Sequence, residues 1–178
     1  MTDFTIYILI APPILLGLTL HEFAHGWVAN RLGDPTAKLA GRLTMNPLAH
    51  LDFIGTIMLF IAHIGWAKPV PVNPYNLRHP KQDIIWVSAA GPASNLFLAF
   101  LFGLVFRAFS PGGLLESIYL PKPLVILIVY GVILNLSLAI FNLIPIPPLD
   151  GSRIVSGLLP PEAEREYQKL ERFGPLLI

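Results

Sequence analysis

Four stretches of the chain are almost wholly apolar, and polar segments separate them. The first predicts a helix from Phe4 to Asn30, which would extend about 40 Å at about 1.5 Å per residue and could cross a bilayer. Ile84–Phe109 and Leu124–Leu143 are also long enough to span, whereas Leu51–Trp66 is short for a full crossing. The pattern therefore predicts three spanning helices and one re-entrant or shallow apolar segment.

Composition supports a membrane protein. The 178 residues are 54% hydrophobic and only 13% charged, whereas a soluble domain carries about 25% charged residues. We therefore expect an all-α polytopic membrane protein that forms a single domain over residues 1–178. A net charge of +1 argues against nucleic acid as a partner, and the absence of cysteine excludes disulfides and thiolate metal sites.

Three ionisable residues interrupt the first apolar stretch: His21, Glu22 and His25. Histidines four apart lie on one helix face in successive turns, so they could share one zinc ion, with the intervening glutamate acting as general base toward an attacking water. Placing ionisable side chains within a membrane costs free energy, so their presence there predicts a functional site. The alternative for His25 is a hydrogen-bonded core histidine.

The last apolar stretch runs into a proline-rich segment that ends at Asp150. Prolines end a helix at membrane depth only where the backbone is buried or lines a wet cavity. We therefore predict Asp150 as a third zinc ligand, because two histidines and one carboxylate leave the fourth position open, as in catalytic sites. A plain interfacial turn at Asp150-Gly151 is the alternative.

Two asparagines are further candidates. Asn95 lies on a stripe of small residues that recurs every four positions with Gly91, Ala99 and Gly103, and it is expected to hydrogen-bond between helices, or else to support the metal site. Asn142 could donate to a substrate carbonyl or a developing oxyanion; a hydrogen bond between helices is its more usual role.

The polar segment after the first helix predicts a short β element beside the active site. Lys38 to Met45 could form a strand, ended by Asn46-Pro47. An extended peptide could pair with its edge. An ordinary surface loop is the alternative.

The C-terminal part of the chain predicts a charged helix and a further span. Glu162–Phe173 follows Pro160-Pro161 and has a charged pattern typical of a solvated or interfacial helix. The apolar run Gly174–Ile178 at the end of the chain predicts another spanning segment beyond it.

Topology constrains these assignments. His21, His25 and Asp150 can meet only if the first and last predicted spans cross in the same direction, which makes Ile84–Phe109 the single return crossing. Basic residues cluster on one side in this arrangement, before the second span and after Asp150: Arg31, Lys38, Arg42, Lys68, Arg78, Lys81, Arg153, Arg165, Lys169 and Arg172. The other side has only Lys122 and Arg107. The positive-inside rule therefore predicts a cell-membrane protein with its metal site toward the cytoplasm.

The paired motifs HEFAH and NLIPIPPLDG resemble those of the site-2 protease family of intramembrane zinc metalloproteases. GRLTMNPLAH, GWAKPVPVNP and AAGPASN also resemble the small prokaryotic members, so the likeness covers nearly the whole chain. The resemblance implies that His21, His25 and Asp150 bind one catalytic zinc ion, that Glu22 is the catalytic base or acid, and that Asn142 positions substrate.

The resemblance also implies a class of substrate, and the chain differs from some members of the family. The family cleaves transmembrane or membrane-adjacent segments of other proteins, often to release a signalling domain or to clear a remnant. The Ser110–Pro123 loop is too short for the PDZ-like domain of larger members, and there is no clear extra span before HEFAH. Rival interpretations are a metal or proton transporter, which would not require Glu22 as a base, and an inert membrane adaptor.

Overall fold

Three long helices form the body of the molecule. The computed structural model describes residues 3–62 and 67–170. Helices α1 (Asp3–Arg31), α4 (Pro80–Phe109) and α5 (Lys122–Asn142) are long and apolar enough to cross a membrane. These are the three predicted spans, so the all-α polytopic class is confirmed. Helix α4 begins four residues before Ile84 because Pro80 occupies its first turn and the Asp83 carboxylate accepts the His79 N–H at 2.8 Å.

Four shorter helices complete the described residues: α2 (Thr36–Leu39), α3 (Phe53–Ala62), α6 (Asp150–Leu158) and α7 (Pro161–Gln168). Helix α3 has 10 residues and would reach about 15 Å, half the hydrocarbon thickness. It is therefore too short to cross the bilayer, in agreement with the short segment predicted at Leu51–Trp66, although residues 63–66 lie outside the described part. Helix α7 corresponds to the predicted charged helix, whose residues 171–173 also lie outside the described residues, as does the apolar run at 174–178.

The predicted strand from Lys38 to Met45 is wrong. The segment instead contains α2 and a turn with Gly41 at φ +67°. Local hydrogen bonds explain the difference: the Asp34 carboxylate accepts the Thr36 N–H at 3.1 Å, and the Arg42 N–H donates to the Ala37 carbonyl at 2.8 Å. These bonds favour a helical turn over extended backbone. Among the described residues the only β pairing is one isolated antiparallel bridge, Leu51 with Ala67.

Helices α1, α4 and α5 all pack on one another, and α4 also packs on α6. Its predicted small-residue stripe faces these neighbours at Gly91, Asn95 and Ala99, which are all buried. Gly103 departs from the prediction, because a Cβ placed there would have nothing within 4 Å. Close packing on α4 is therefore concentrated in its first two thirds.

The side chain of Asn95 connects all three spanning helices. Its Nδ2 donates to the Gly17 carbonyl of α1 at 3.1 Å and to Asn135 Oδ1 of α5 at 3.0 Å. Asn135 in turn donates to the Gly131 carbonyl at 2.9 Å. Polar bonds of this kind between membrane helices contribute about 0.6–2 kcal/mol each. The expected hydrogen bonding of Asn95 between helices is therefore present.

Helices α1 and α5 run in the same direction, and α4 returns between them. His21 near the end of α1 and Asp150 just after α5 approach to 3.1 Å between Nε2 and Oδ2. Each span of about 30 Å would keep these atoms far apart if the directions differed. The sequence-based topology is thereby confirmed.

A buried carboxylate fixes the segment that follows α3 against the end of α1. Asp34 accepts hydrogen bonds from the Asn73 N–H at 2.7 Å, from Asn76 Nδ2 at 2.9 Å and from Thr36. Burial alone would raise the pKa of Asp34, but the hydrogen bonds from Thr36, Asn76 and Asn73 lower it below the ordinary value of 3.8. Asp34 therefore remains a carboxylate throughout the neutral range.

We expect Asp34→Asn to lower the melting temperature of the detergent-solubilised protein by several degrees. The amide cannot accept the Asn73 N–H as the lost carboxylate oxygen does, and an unpaired buried donor costs about 1–3 kcal/mol. Because the pKa of Asp34 is depressed in the folded state, its contribution is complete above pH 3.8 and is lost as the pH falls further. The difference from wild type should be constant at neutral pH and shrink below about pH 4.

The matched control is Glu162→Gln, which makes the same carboxyl-to-amide change at an exposed position on α7. Its melting temperature should equal that of wild type. Equal melting temperatures for Asp34→Asn and wild type at neutral pH would contradict the role given to this carboxylate.

Candidate active site

Three candidate metal ligands lie close together at the ends of α1 and α5 that are predicted to face the cytoplasm. His21 and His25 project from successive turns of α1, and Asp150 is the first residue of α6. Asp150 Oδ2 lies 3.1 Å from His21 Nε2 and 3.2 Å from His25 Nε2. Ligands at tetrahedral zinc bond lengths of about 2.0–2.1 Å lie about 3.3 Å apart. The distance from Asp150 Oδ2 to each histidine Nε2 is therefore close to the distance between two ligands of one zinc ion.

Both imidazole rings are oriented by hydrogen bonds through Nδ1. His21 Nδ1 lies 2.6 Å from Asn95 Oδ1, and His25 Nδ1 lies 2.7 Å from the Val87 carbonyl oxygen. Both partners are placed to accept, which assigns the ring proton to Nδ1 and leaves the Nε2 lone pairs facing Asp150. Asn95 thus combines both roles considered for it, because it joins the helices and orients a candidate ligand.

Gly91 provides the space in which the two histidines meet. A Cβ at this position would lie 2.6 Å from His21 Nε2 and closer still to His25 Nε2. The backbone of α4 therefore forms one wall of the site. Any larger residue would push the imidazoles away from Asp150.

Asp150 is held in place by a tightly packed turn. A Cβ on Gly151 would overlap the Leu143 carbonyl, and Ser152 Oγ donates to the Leu149 carbonyl at 2.7 Å. Within the described part of the chain, the buried Oδ2 of Asp150 has no hydrogen-bond donor. This oxygen is therefore available to a metal ion.

Glu22 faces the same cavity without joining the group of three ligand atoms. Its Oε2 accepts the Val70 N–H at 2.8 Å. Val70 belongs to a non-helical segment that follows the bridge at Ala67 and that Asp34 fixes through Asn73. The carboxylate is therefore oriented by backbone from a distant part of the sequence.

Asn142 lines the cavity, whereas Asn135 does not. Asn142 Nδ2 donates to the Leu138 carbonyl at 3.0 Å, which leaves its second amide hydrogen for another acceptor. The position fits the expected contact with substrate. The two asparagines thus differ in position, since Asn142 faces the cavity and Asn135 supports Asn95.

Sequence reasoning missed several residues that shape this site. The Val87 carbonyl orients His25, Asn135 supports Asn95, and Ser88 lines the cavity. Ser88, Gly91 and Asn95 occur at positions i, i+3 and i+7, so they share one face of α4. That spacing was the signal available in the sequence.

Two cavities adjoin at the site. The cavity that contains the candidate ligands has a volume of about 170 Å³, and a second of about 500 Å³ lies beside it. Val72 and Arg153 line both, and the neighbouring residues Pro147 and Pro148 each line one. The smaller cavity is below the usual range of ligand pockets, about 300–1,000 Å³, and the larger lies within it.

One salt bridge and two further hydrogen bonds attach α7 to the wall of the larger cavity. Glu164 accepts from Lys81 Nζ at 2.9 Å and from Ser156 Oγ at 3.1 Å, and Tyr167 Oη donates to the Pro145 carbonyl at 2.7 Å. The hydrogen bond from Lys81 lowers the pKa of Glu164, and burial opposes this weakly. The ion pair is partly exposed, so its contribution to stability is small.

Comparison with known proteins agrees with this geometry. The family model of peptidase family M50 matches residues 120–174. The chain is 41% identical over 172 residues to "Putative zinc metalloprotease YwhC" of Bacillus subtilis, covering 90% of this chain and 74% of that protein. The chain belongs to peptidase family M50. The resemblance to site-2 proteases drawn from the motifs is thereby confirmed.

More distant M50 relatives carry the same description. Rip2 of Mycolicibacterium smegmatis is 33% identical over 179 residues, covering 97% of this chain and 66% of that protein. MJ0611 of Methanocaldococcus jannaschii is 30% identical over 155 residues, covering 86% of this chain and 73% of that protein. The chain thus spans about two thirds to three quarters of the length of these relatives. No solved structure matches it significantly.

The family assignment makes the chain a zinc metalloprotease of the membrane, and the donor set fits zinc. Two imidazole nitrogens and one carboxylate oxygen are ligands that catalytic zinc uses, and all ligand atoms lie within 4.8 Å of one another. The oriented Nε2 lone pairs and the available Asp150 oxygen point to a common position. The expected zinc cofactor is therefore confirmed at the level of the family.

We expect Gly91→Ala to weaken zinc binding at least about tenfold while the protein remains folded. The added methyl group would occupy the space beside both Nε2 atoms and displace the rings from Asp150. Zinc content after purification and competition with a chelator measure the effect.

The matched control is Gly103→Ala, three turns further along α4, where the methyl group meets nothing within 4 Å. This variant should bind zinc as wild type does. Wild-type affinity in Gly91→Ala would contradict the close approach of α4 to the two histidines.

Proposed function

We propose that this M50 protein hydrolyses peptide bonds in or next to the transmembrane segments of other membrane proteins. The observation that supports the proposal most directly is the convergence of His21, His25 and Asp150 in a cavity bounded by apolar helices. Release of a signalling domain and clearance of a membrane-bound remnant are both compatible with this reaction. A transporter would not require a carboxylate beside the metal ligands in the position of Glu22.

The proposed zinc ligands are His21, His25 and Asp150. Three protein ligands leave a fourth position for the reacting groups. A zinc ion held by these three residues would polarise the scissile carbonyl and lower the pKa of the attacking water. Asn95 and the Val87 carbonyl keep the imidazoles in the orientation that this requires.

Glu22 is proposed as the residue that moves the protons. Its carboxylate takes a proton from the attacking water and later delivers it to the leaving amine. The Val70 N–H holds one carboxylate oxygen and leaves the other for this exchange. Asn142 is proposed to donate its second amide hydrogen to the carbonyl oxygen of the scissile bond.

The substrate must be extended where it is cut. A transmembrane helix uses its carbonyls in its own hydrogen bonds, so local unwinding has to precede attack. Because no strand forms at Lys38–Met45, the substrate has no strand to pair with there. The adjoining cavity of about 500 Å³ offers room for residues that flank the scissile bond, which the cavity of about 170 Å³ lacks.

The active site is proposed to face the cytoplasm. The basic residues of α2, of the segment before α4 and of α6 and α7 lie at the end of the molecule that contains Asp150. The opposite end has Arg107 and Lys122. By the positive-inside rule the first end lies in the cytoplasm.

We expect Glu22→Gln to retain zinc and to abolish cleavage. Glutamine preserves the shape of the side chain but cannot take a proton from water, so kcat should fall by at least about 10²–10⁴-fold. Zinc content and cleavage of a panel of transmembrane peptides would be measured in detergent for wild type and variant. Asp52→Asn, outside the cavity, is the matched carboxyl-to-amide control.

Two results would contradict the proposal. Equal cleavage by wild type and Glu22→Gln would remove Glu22 from the mechanism. Metal flux in vesicles, undiminished by Glu22→Gln and without peptide cleavage, would favour the transporter.

Orientation can be measured directly because the natural chain contains no cysteine. Leu39→Cys on α2 and Tyr119→Cys between α4 and α5 introduce single thiols at positions that are 81% and 84% exposed. In intact cells a membrane-impermeant maleimide should label the thiol at position 119 and spare that at position 39. The reverse pattern would place the active site on the outer side.

A further inference from the structure

One face of α4 supplies the active site from several successive positions. Asn95 binds His21, Gly91 leaves space for both histidines, and the Val87 carbonyl binds His25. Ser88 lies on the same face one turn before Gly91, where it lines the cavity beside Glu22 and Asp150. Of the polar groups on this face, only the hydroxyl of Ser88 has no role in the arrangement described above.

The Ser88 hydroxyl is buried and has no partner within the described residues. The residue is 1% exposed, and its Oγ makes no hydrogen bond there. Two other helical serines donate to backbone carbonyls: Ser94 Oγ to that of Gly91 at 2.7 Å, and Ser152 Oγ to that of Leu149 at 2.7 Å. A buried unpaired hydroxyl is destabilising, so its presence on the cavity wall indicates a partner that enters the cavity.

We propose that the Ser88 hydroxyl donates a hydrogen bond to the carbonyl oxygen of the scissile peptide bond, and this proposal rests on the proposed function. As water adds to the carbonyl carbon, negative charge develops on that oxygen, and the hydroxyl stabilises it without transferring its own proton. The proton of the water goes to Glu22 and then to the nitrogen as the C–N bond breaks. Ser88 and Asn142 would approach the oxygen from α4 and α5.

The choice of carbonyl oxygen follows from the neighbours of Ser88. The cavity is lined by two carboxylates, Glu22 and Asp150, and by donors that include Asn142 and Arg153. Ser88 differs from these donors because its hydroxyl is buried on the cavity wall without a partner among the described residues, so it can serve a developing oxyanion. The backbone of α4 fixes the position of Ser88, so the donor is preorganised.

The test compares Ser88→Ala with Ser94→Ala, which makes the same change on the same helix outside the cavity. For Ser88→Ala we expect kcat to fall by about 10²–10³-fold, the usual effect of removing an oxyanion donor, with KM within about threefold of wild type. A peptide phosphonate that mimics the tetrahedral intermediate should bind more weakly by a similar factor. Ser94→Ala should match wild type in both measurements.

Stability and zinc content separate this role from a structural one. Ser88→Ala should keep full zinc content, and the melting temperature of the metal-free protein should stay equal or rise, because an unpaired buried hydroxyl has been removed. A lower melting temperature, lost zinc or a change confined to KM would overturn the inference. A wild-type kcat in Ser88→Ala would overturn the role of Ser88 and leave the proposed function intact. Absence of cleavage by the zinc-loaded wild type would overturn both.

Discussion

The architecture depends on one fully buried amide side chain. Asn95 accepts from His21 through Oδ1 and donates through Nδ2 to the Gly17 carbonyl and to Asn135. In a hydrocarbon environment an unpaired amide would be costly, so the three helices are held in the one arrangement that satisfies all of its bonds. The interaction that fixes the helix packing therefore also fixes the direction of a candidate zinc ligand.

The remaining geometry of the site follows from this packing. Because α4 lies against both α1 and α5, the wall at Gly91 can approach the histidines, and α6 can bring Asp150 beneath them. Glu22 is reached from another direction by the Val70 N–H. His21, His25 and Glu22 are thus each oriented by a segment of the chain that does not itself carry the residue.

Much of this arrangement could be predicted from the sequence. Long apolar stretches predict spanning helices because the thickness of the bilayer sets their length. The topology was predicted from the requirement that His21, His25 and Asp150 meet. The predicted strand at Lys38–Met45 was wrong because a hydrogen bond to the Asp34 side chain favours a helical turn just before it. The β propensity of individual residues does not include such bonds. Helix α6 was not predicted, because the prolines before Asp150 indicate the end of a helix, although proline-rich segments also precede helix starts. The bond between Val70 and Glu22 and the position of Ser88 depend on contacts between distant segments, which no local pattern encodes.

The candidate zinc ligands come from distant parts of the chain, and this has a consequence for the thermodynamics of the protein. Two belong to the first helix and the third to α6, so a bound zinc ion closes a loop of more than a hundred residues, from His25 to Asp150. An ion bound by these residues would be a crosslink as well as a catalyst, since binding only to the assembled state stabilises that state. Asn95, Gly17 and Asn135 hold the three long helices without the ion. Helix α6 itself packs on α4, so zinc would strengthen an attachment that the protein already makes.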